Sequence, residues 1–346
     1  MSDIIERIKH IIPRESKYNI DDLLIKHKCF YLVYLNNNAS VPAFLNKRIA
    51  IEALAVKERY NSSKEILDNL GCKYAIIKGA VLSKRIYNNI AYRPSGDIDI
   101  LVNPNNLTLI TSLMNKLGFV QGTLSKNEIR LYSREEILFQ TIFTHQAPQF
   151  VKKTNNFICP FVCLDFNTDL LWGEHVASLN MDTVLNYTES DEICGIAIKR
   201  LQPCMEFIAL CLHHYKDMNS IFLLIHNSLK LNLFCDIYFY MKTIINDQCK
   251  VLSLAKKMGV DKYVYYCIYY THLVFADDMT NEWLSTFLLS RDDTLMDSFG
   301  LNDNERKKWS IGFFERLFNE DLSLYLRGEI STSDVEKINK NNLYMR

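Results

Sequence analysis

The sequence predicts an α+β fold: a small mixed β-sheet with helices over residues 71–175, preceded by an N-terminal helical segment over 1–70 and followed by a C-terminal helical domain over 176–346. Three observations carry this. Short apolar runs of strand character lie between residues 74 and 167, apolar residues spaced three and four apart run through 44–70, and from about residue 176 the apolar residues fall in broad helical stripes. A chain of 346 residues with 48% hydrophobic content is long enough for two or three structural units with cores of their own.

In the first segment, Ile49, Ala53, Val56, Tyr60, Ile66 and Leu70 mark a helix over 44–70, which Gly71 ends. Tyr74-Ala75-Ile76-Ile77 is a short strand that stops at Lys78-Gly79, and 80–87 has helical spacing. Ile98, Ile100, Leu101 and Val102 make a buried strand. Asn103-Pro104-Asn105-Asn106 is a turn, and 107–117 is a helix closed by Gly118. The segments 128–132, 137–144 and 161–167 read as strands, and the chain from about 176 onward as mostly helical. The aromatic run 263–270 belongs to a core rather than to a base-stacking platform. There is no internal repeat and no low-complexity linker.

Lys plus Arg and Asp plus Glu both total 40, so the chain lacks the overall positive field that broad nucleic-acid binding requires. Lys152-Lys153 and Arg306-Lys307-Lys308 are too short to reverse this and read as solvated surface. Ten cysteines include no Cys-x-x-Cys pair, and buried reduced thiols are expected. The first six residues are acidic and amphipathic, which argues against a signal peptide. No apolar stretch reaches the ~20 residues of a spanning helix. A cytoplasmic protein with no membrane partner is expected.

The most informative stretch is Asp97-Ile98-Asp99-Ile100. In a strand, Asp97 and Asp99 share one face while Ile98 and Ile100 turn to the other. Paired like charges cost free energy unless a cation lies between them, and Mg²⁺ suits one or two carboxylates with phosphate oxygens and water. Upstream, Gly79 sits where a strand meets a helix, so its backbone can approach a ligand and the helix start can offer N–H groups to a triphosphate. Lys78 and Arg93 add positive charge for the phosphates of a nucleotide.

A third carboxylate is expected on a neighbouring strand. In 161–167, alternation places Cys163, Asp165 and Asn167 on one face, so Asp165 reaches the Asp97/Asp99 face if the strands are adjacent. Asp169 is the fallback and reads better as a cap. In the helical half, His213 and Lys216 share a helix face, as candidates for a wall of the nucleotide or acceptor pocket; Asp236 is a candidate partner for His213 or His214. His145 is a weaker candidate near the site.

Taken together, Ile76-Ile77-Lys78-Gly79-Ala80, Arg93 and Asp97-Ile98-Asp99-Ile100-Leu101-Val102 resemble the Lys-Gly … Arg … Asp-Ile-Asp-Leu-Leu-Val signature of a bacterial nucleotidyltransferase family of unassigned substrate, within the DNA polymerase beta-like nucleotidyltransferase superfamily. The likeness runs over roughly 50–245, through His145, Asp165 and the helices carrying Glu206, His213, His214 and Asp236. It implies that Asp97, Asp99 and Asp165 are catalytic metal ligands for two Mg²⁺ ions, and that Gly79 marks the nucleotide-binding turn. Two departures stand out. Gly79 is followed by Ala80, which has no hydroxyl for a phosphate, and Asp165-Phe166-Asn167 replaces the Asp-Leu-His found in many members.

The expected activity is metal-dependent transfer of an NMP, with ATP as the expected donor, to a hydroxyl or similar group of a small-molecule acceptor, releasing pyrophosphate. The rivals are a toxin-like transferase acting on protein or tRNA, a nucleotide-binding regulator on a degenerate transferase fold, and a scaffold or antitoxin-like partner. Residue type alone does not name the acceptor.

Overall fold

The structure, a computed structural model, describes residues 2–12, 20–35, 41–143, 146–171, 179–303 and 306–344. In chain order the elements begin with helices α1 (Ser2–Ile11), α2 (Ile20–Lys26), α3 (Leu32–Leu35) and α4 (Ala43–Asn69). There follow β1 (Tyr74–Ile77), α5 (Gly79–Tyr87), β2 (Ile98–Val102), α6 (Leu107–Lys116), β3 (Val120–Ser125), β4 (Glu128–Leu131) and α7 (Arg134–Phe143). Strands β5 (Phe150–Lys153) and β6 (Phe161–Asn167), helix α8 (Met181–Leu185) and the hairpin β7 (Thr188–Ile193) and β8 (Ile196–Leu201) complete the sheet region. Helices α9 (Pro203–Asn219), α10 (Ile221–Ile225), α11 (Leu231–Thr243), α12 (Gln248–Lys257), α13 (Asp261–Phe275) and α14 (Asp278–Thr286) come next. Two short strands, β9 (Ser298–Phe299) and β10 (Lys307–Lys308), precede α15 (Phe313–Phe318), α16 (Leu322–Glu329) and α17 (Thr332–Tyr344).

The chain divides into two compact units. One holds residues 46–173, 178–206 and 339–346 and contains the sheet; the other holds 1–45, 174–177 and 207–338 and is largely helical. This is an α+β architecture with N-terminal helices and a C-terminal helical region, as the sequence predicts. No described helix is long and apolar enough to cross a membrane.

The sheet is mixed, in the order β4-β3-β5-β6-β2-β1-β8-β7. Strands β2 and β6 are parallel, as are β1 and β8, and the other pairs are antiparallel. Period-two alternation sends Ile98, Ile100, Val102, Val162, Leu164 and Phe166 into a core that also takes Val56 and Tyr60 of α4 and Ile110 and Met114 of α6. The Phe150 and Phe166 rings meet edge to face at 5.8 Å, within the range where such pairs attract.

Strands β3, β5, β9 and β10 go beyond the sequence expectation, and two segments take another element type than expected. Residues 137–143, expected as a strand, belong to helix α7. Ser133 and Glu136 explain it: Glu136 Oε2 accepts from the Ser133 N–H at 2.7 Å and Ser133 Oγ accepts from the Glu136 N–H at 3.2 Å, a reciprocal cap that starts a helix. Residues 188–201, expected as helix, form the β7–β8 hairpin. Its turn residues Cys194 and Gly195 both have positive φ, 52° and 82°, the backbone that tight two-residue hairpins demand. The basic groups are also less solvated than expected. Lys152 donates to the Leu117 carbonyl at 2.8 Å at the end of α6, and Lys307 pairs with Asp334 at 2.7 Å.

A buried ion network ties the hairpin to α5 and to the first turn of α9. Arg200 is 2% exposed and donates to both Glu206 oxygens, at 2.9 and 2.8 Å, and to Asp191 at 2.8 Å. Arg85 adds bonds to Glu206 at 2.9 Å and to Glu189, and Lys84 reaches Asp191 at 3.0 Å. Burial would raise the Asp191 carboxyl, but Arg200, the Glu192 N–H and Lys84 bring it down to about 2.

In the helical unit the 263–270 aromatics are core: Tyr263, Tyr265, Tyr266 and Tyr270 are all buried. All ten cysteines are free thiols; Cys29, Cys211, Cys235 and Cys267 are buried, whereas Cys249 is exposed. His27 is buried, and its Nδ1 accepts the Leu231 N–H at 3.0 Å, satisfying a donor at the start of α11. Burial, reinforced by Lys230 and Lys26, holds the His27 pKa down at about 3.

Two outcomes follow from these packed polar groups. Arg200→Met strands the buried Glu206 charge against fewer cations and should cost about 3–5 kcal/mol in a denaturant titration; a loss below about 1 kcal/mol would show the network to be dispensable. For His27 the folded pKa lies below the unfolded one, so the unfolded chain binds the proton first and stability falls as pH drops from about 6.5 towards 3. The slope should be up to ~1.4 kcal/mol per pH unit and should be reduced by that amount in His27→Gln, compared by denaturation at pH 7, 6, 5 and 4.

Candidate functional site

The register of β2 on β6 builds the site. Ile98 lies beside Leu164 and Asp99 beside Asp165, so burying the isoleucine and leucine on one face brings the two carboxylates together on the other. Asp97 lies immediately before β2 rather than within it. On the other side, Ile77 of β1 is the partner of Asp99, and Lys78 follows at the strand end.

Each carboxylate has a polar neighbour. Lys78 Nζ donates to Asp99 Oδ1 at 3.2 Å, and the Asn167 amide donates to the same oxygen at 3.2 Å. Ser95 Oγ donates to Asp97 Oδ1 at 2.7 Å, and Gln149 Nε2 donates to Asp165 Oδ1 at 3.1 Å. Burial and the neighbouring Asp99 raise the Asp97 carboxyl, against the lowering influence of Ser95, Lys78 and Arg59. Asp165 is raised well above the ordinary carboxylate range by burial and by the charges of Asp97 and Asp99. With all three ionised, the cluster would carry more negative charge than its neighbouring cations offset, which, after burial, is what raises these two carboxyls.

The turn at Lys78-Gly79 is the second feature. Lys78 has φ 63° and ψ −156°, a backbone region that only glycine visits readily, and holding a lysine there costs of order 1–3 kcal/mol. Gly79 follows at φ +51°, and a Cβ on it would meet Ser95 Oγ at 3.4 Å. No side chain caps α5 at Lys78, so the first N–H groups of the helix have no acceptor from the cap residue. Ala80 is buried in the core and contributes no hydroxyl. Arg93 is half-buried; its backbone N–H donates to Ser83 Oγ at 3.0 Å, pinning its loop to α5.

The structure brings Lys78, Gly79, Asp97, Asp99 and Asp165 together. His213 and Lys216 lie in the helical unit, where both approach Asp217, at 3.4 and 3.9 Å. His214 and Asp236 are fully buried with 3.9 Å between Nε2 and Oδ2. Asp169 accepts from the Leu170 and Leu171 N–H groups at 2.6 and 3.2 Å within a bend; the continuation of the segment it was expected to cap, from Trp172, lies outside the described residues. His145 lies outside the described residues.

Sequence reasoning passed over Ser95, Gln149 and the amide role of Asn167. Asn167 shares the face of Asp165 in a period-two strand, so its place was visible and its partner was not. Gln149 reaches the site through the antiparallel register Phe150 to Leu164, a pairing no local motif announces.

For a divalent metal, the donor chemistry fits: carboxylate oxygens with excess negative charge suit a hard cation. The three carboxylates are not already drawn into a cage, and among the described residues no group of three His, Cys, Asp or Glu side chains stands ready to hold an ion. Mg²⁺ keeps several waters and needs only one or two carboxylates, so such a cage is not required.

A carboxyl with a raised folded pKa binds its proton preferentially in the native chain, so the free protein loses stability as pH rises through that value. Asp165→Asn removes the loss. At pH 7.5 without ligand its melting midpoint should exceed wild type by roughly 2–4 °C, the shift ~1 kcal/mol produces in a domain of this size; a lower midpoint would mean Asp165 holds the fold together.

A family model described as uncharacterised nucleotidyltransferase matches residues 44–276. Among solved structures, an antigenic nucleotidyltransferase-like protein from Paracoccidioides brasiliensis is similar at 14% identity, with 62% of this chain and 93% of that chain covered and a TM-score of 0.35. No curated protein matches. The family model spans most of the chain and includes the whole carboxylate cluster with the Lys78-Gly79 turn; the chain belongs to the uncharacterised nucleotidyltransferase family.

Proposed function

We propose that the chain moves an NMP, with ATP as the favoured donor, onto a hydroxyl or similar group of a small-molecule acceptor and releases pyrophosphate. The observation that carries this reading is the pairing of Asp99 with Asp165 across β2 and β6, with Asp97 beside them and Lys78 at the head of an uncapped helix. Triphosphate oxygens would take the N–H groups at the start of α5, and Lys78 would shift from Asp99 towards a phosphate. Arg93 would add positive charge beside the nucleotide.

Asp97 and Asp99 would hold two Mg²⁺ ions, with Asp165 completing the carboxylate set. When bound, the metal supplies Lewis-acid polarisation of the α-phosphoryl group and neutralises charge on the leaving pyrophosphate. The acceptor oxygen forms a bond to the α-phosphorus as the bond to the bridging oxygen breaks, and the acceptor proton passes to Asp165. A carboxylate placed beside the acceptor oxygen suits that transfer. Positioning and electrostatics supply most of the rate, as in other phosphoryl transfers. The balance of 40 basic and 40 acidic residues favours a small acceptor over a long nucleic acid.

The test follows label from each α-labelled NTP, with Mg²⁺, into the small-molecule, tRNA and protein fractions of a cell extract, for wild type and Asp97→Asn. Label should enter the small-molecule fraction with wild type and fall at least roughly a hundredfold with the variant, the scale of removing a charge-stabilising group from a transition state. Equal labelling by both would sink the assignment, and label in tRNA or protein would replace the acceptor class.

A further inference from the structure

Arg59, on α4, is a buried cation that the scheme above does not use. The residue is 6% exposed, and its Nε is buried without a hydrogen-bond partner. Among the described residues, no carboxylate lies within ion-pairing distance of its guanidinium. Buried arginines are ordinarily paired, because a guanidinium carries five N–H donors and leaving them dry is costly. Ser63, one turn later, bonds only to the Arg59 backbone carbonyl, at 2.8 Å.

The location is informative. Its neighbour Glu58 accepts from Asn156 Nδ2 at 2.9 Å in the loop before β6, and the Arg59 charge acts to lower the Asp97, Cys159 and Cys163 pKa values, so this turn of α4 lies by the end of the sheet where β2 and β6 begin. Seven residues earlier on the same helix, Glu52 Oε1 accepts the Ser95 N–H at 3.5 Å, and Ser95 in turn holds Asp97. Helix α4 is therefore a wall of the carboxylate site, and Arg59 is the cation in that wall. A role confined to offsetting the aspartates would leave its buried Nε unspent, whereas an incoming oxyanion would meet the fork with two parallel bonds.

Building on the transferase reading, we propose that Arg59 is an anion receptor of this site: its guanidinium fork takes an oxyanion of a bound substrate, either a phosphate of the nucleotide or a phosphate or carboxylate on the acceptor. The free protein keeps the cation unpaired because its partner arrives with the substrate.

The experiment titrates the full chain with pyrophosphate and with ATP, both with Mg²⁺, by calorimetry, and records melting with and without pyrophosphate. Wild type, Arg59→Met and Arg59→Lys are compared, and the label-transfer assay is run in parallel. If the nucleotide supplies the anion, Arg59→Met should melt no lower than wild type without ligand yet bind pyrophosphate and ATP roughly tenfold or more weakly, the equivalent of one charge-assisted hydrogen bond. If the acceptor supplies it, nucleotide binding is unchanged and transfer falls by a similar factor. Unchanged binding together with unchanged transfer overturns the proposal. In the acceptor case too the variant should melt no lower than wild type, so a variant that melts lower while pyrophosphate binding and its stabilising effect remain intact also overturns the proposal. Should Arg59→Met fail to fold, Arg59→Lys decides, since it keeps the charge and loses the fork: binding and transfer both at the wild-type level overturn the proposal. Should wild type bind pyrophosphate or ATP and transfer nothing, the transferase reading fails and the binding arm alone judges Arg59. A wild type that neither binds nor transfers overturns both.

Discussion

Everything at the site depends on the in-register parallel pairing of β2 with β6. The apolar alternation Ile98, Ile100 against Leu164, Phe166 has one stable register, because a slip by one residue would turn isoleucines to the polar face and aspartates into the core. That hydrophobic constraint forces Asp99 and Asp165 side by side, against their own repulsion. Core burial supplies the free energy that holds two like charges together, and the surrounding Lys78, Ser95, Gln149 and Asn167 lower the electrostatic cost without removing it.

The same logic governs the turn beside it. Lys78 occupies a glycine-like backbone region, and the flanking elements keep it there: β1 is locked between β2 and β8, and α5 is anchored by Arg85 and Lys84 in the ion network. The network around Arg200 is remote from the aspartates in sequence, yet it fixes the helix that begins at the Lys78-Gly79 turn. Strain at Lys78, repulsion among the aspartates and an unsatisfied Arg59 Nε are three local costs borne by one unit of the protein. Local violations of this kind are expected at functional sites, and the proposed substrate would relieve them.

Much of this was legible in the sequence. The Asp97-Ile98-Asp99 spacing, the Lys78-Gly79 break between an apolar run and a helical one, and the face shared by Cys163, Asp165 and Asn167 are short-range patterns that period-two and helical spacing reveal. Where local pattern misled, another local signal had been outweighed. In 137–143 the apolar run suggested a strand, while the Ser133–Glu136 cap started a helix. In 188–201 the alternation of β8 and its Cys194-Gly195 turn were subsumed in a helical background.

What the sequence by itself determined is the set of elements around the site and the chemistry carried on them, since backbone periodicity and residue type are local properties. Only the tertiary structure decided which strands are neighbours, that Gln149 and Asn167 brace the aspartates, and that the Nε of the buried Arg59 has no hydrogen-bond partner among the described residues. The physical reason is that strand order and helix placement follow from burying apolar faces far apart in the chain, and a polar group's partner is settled only when that packing brings the two together.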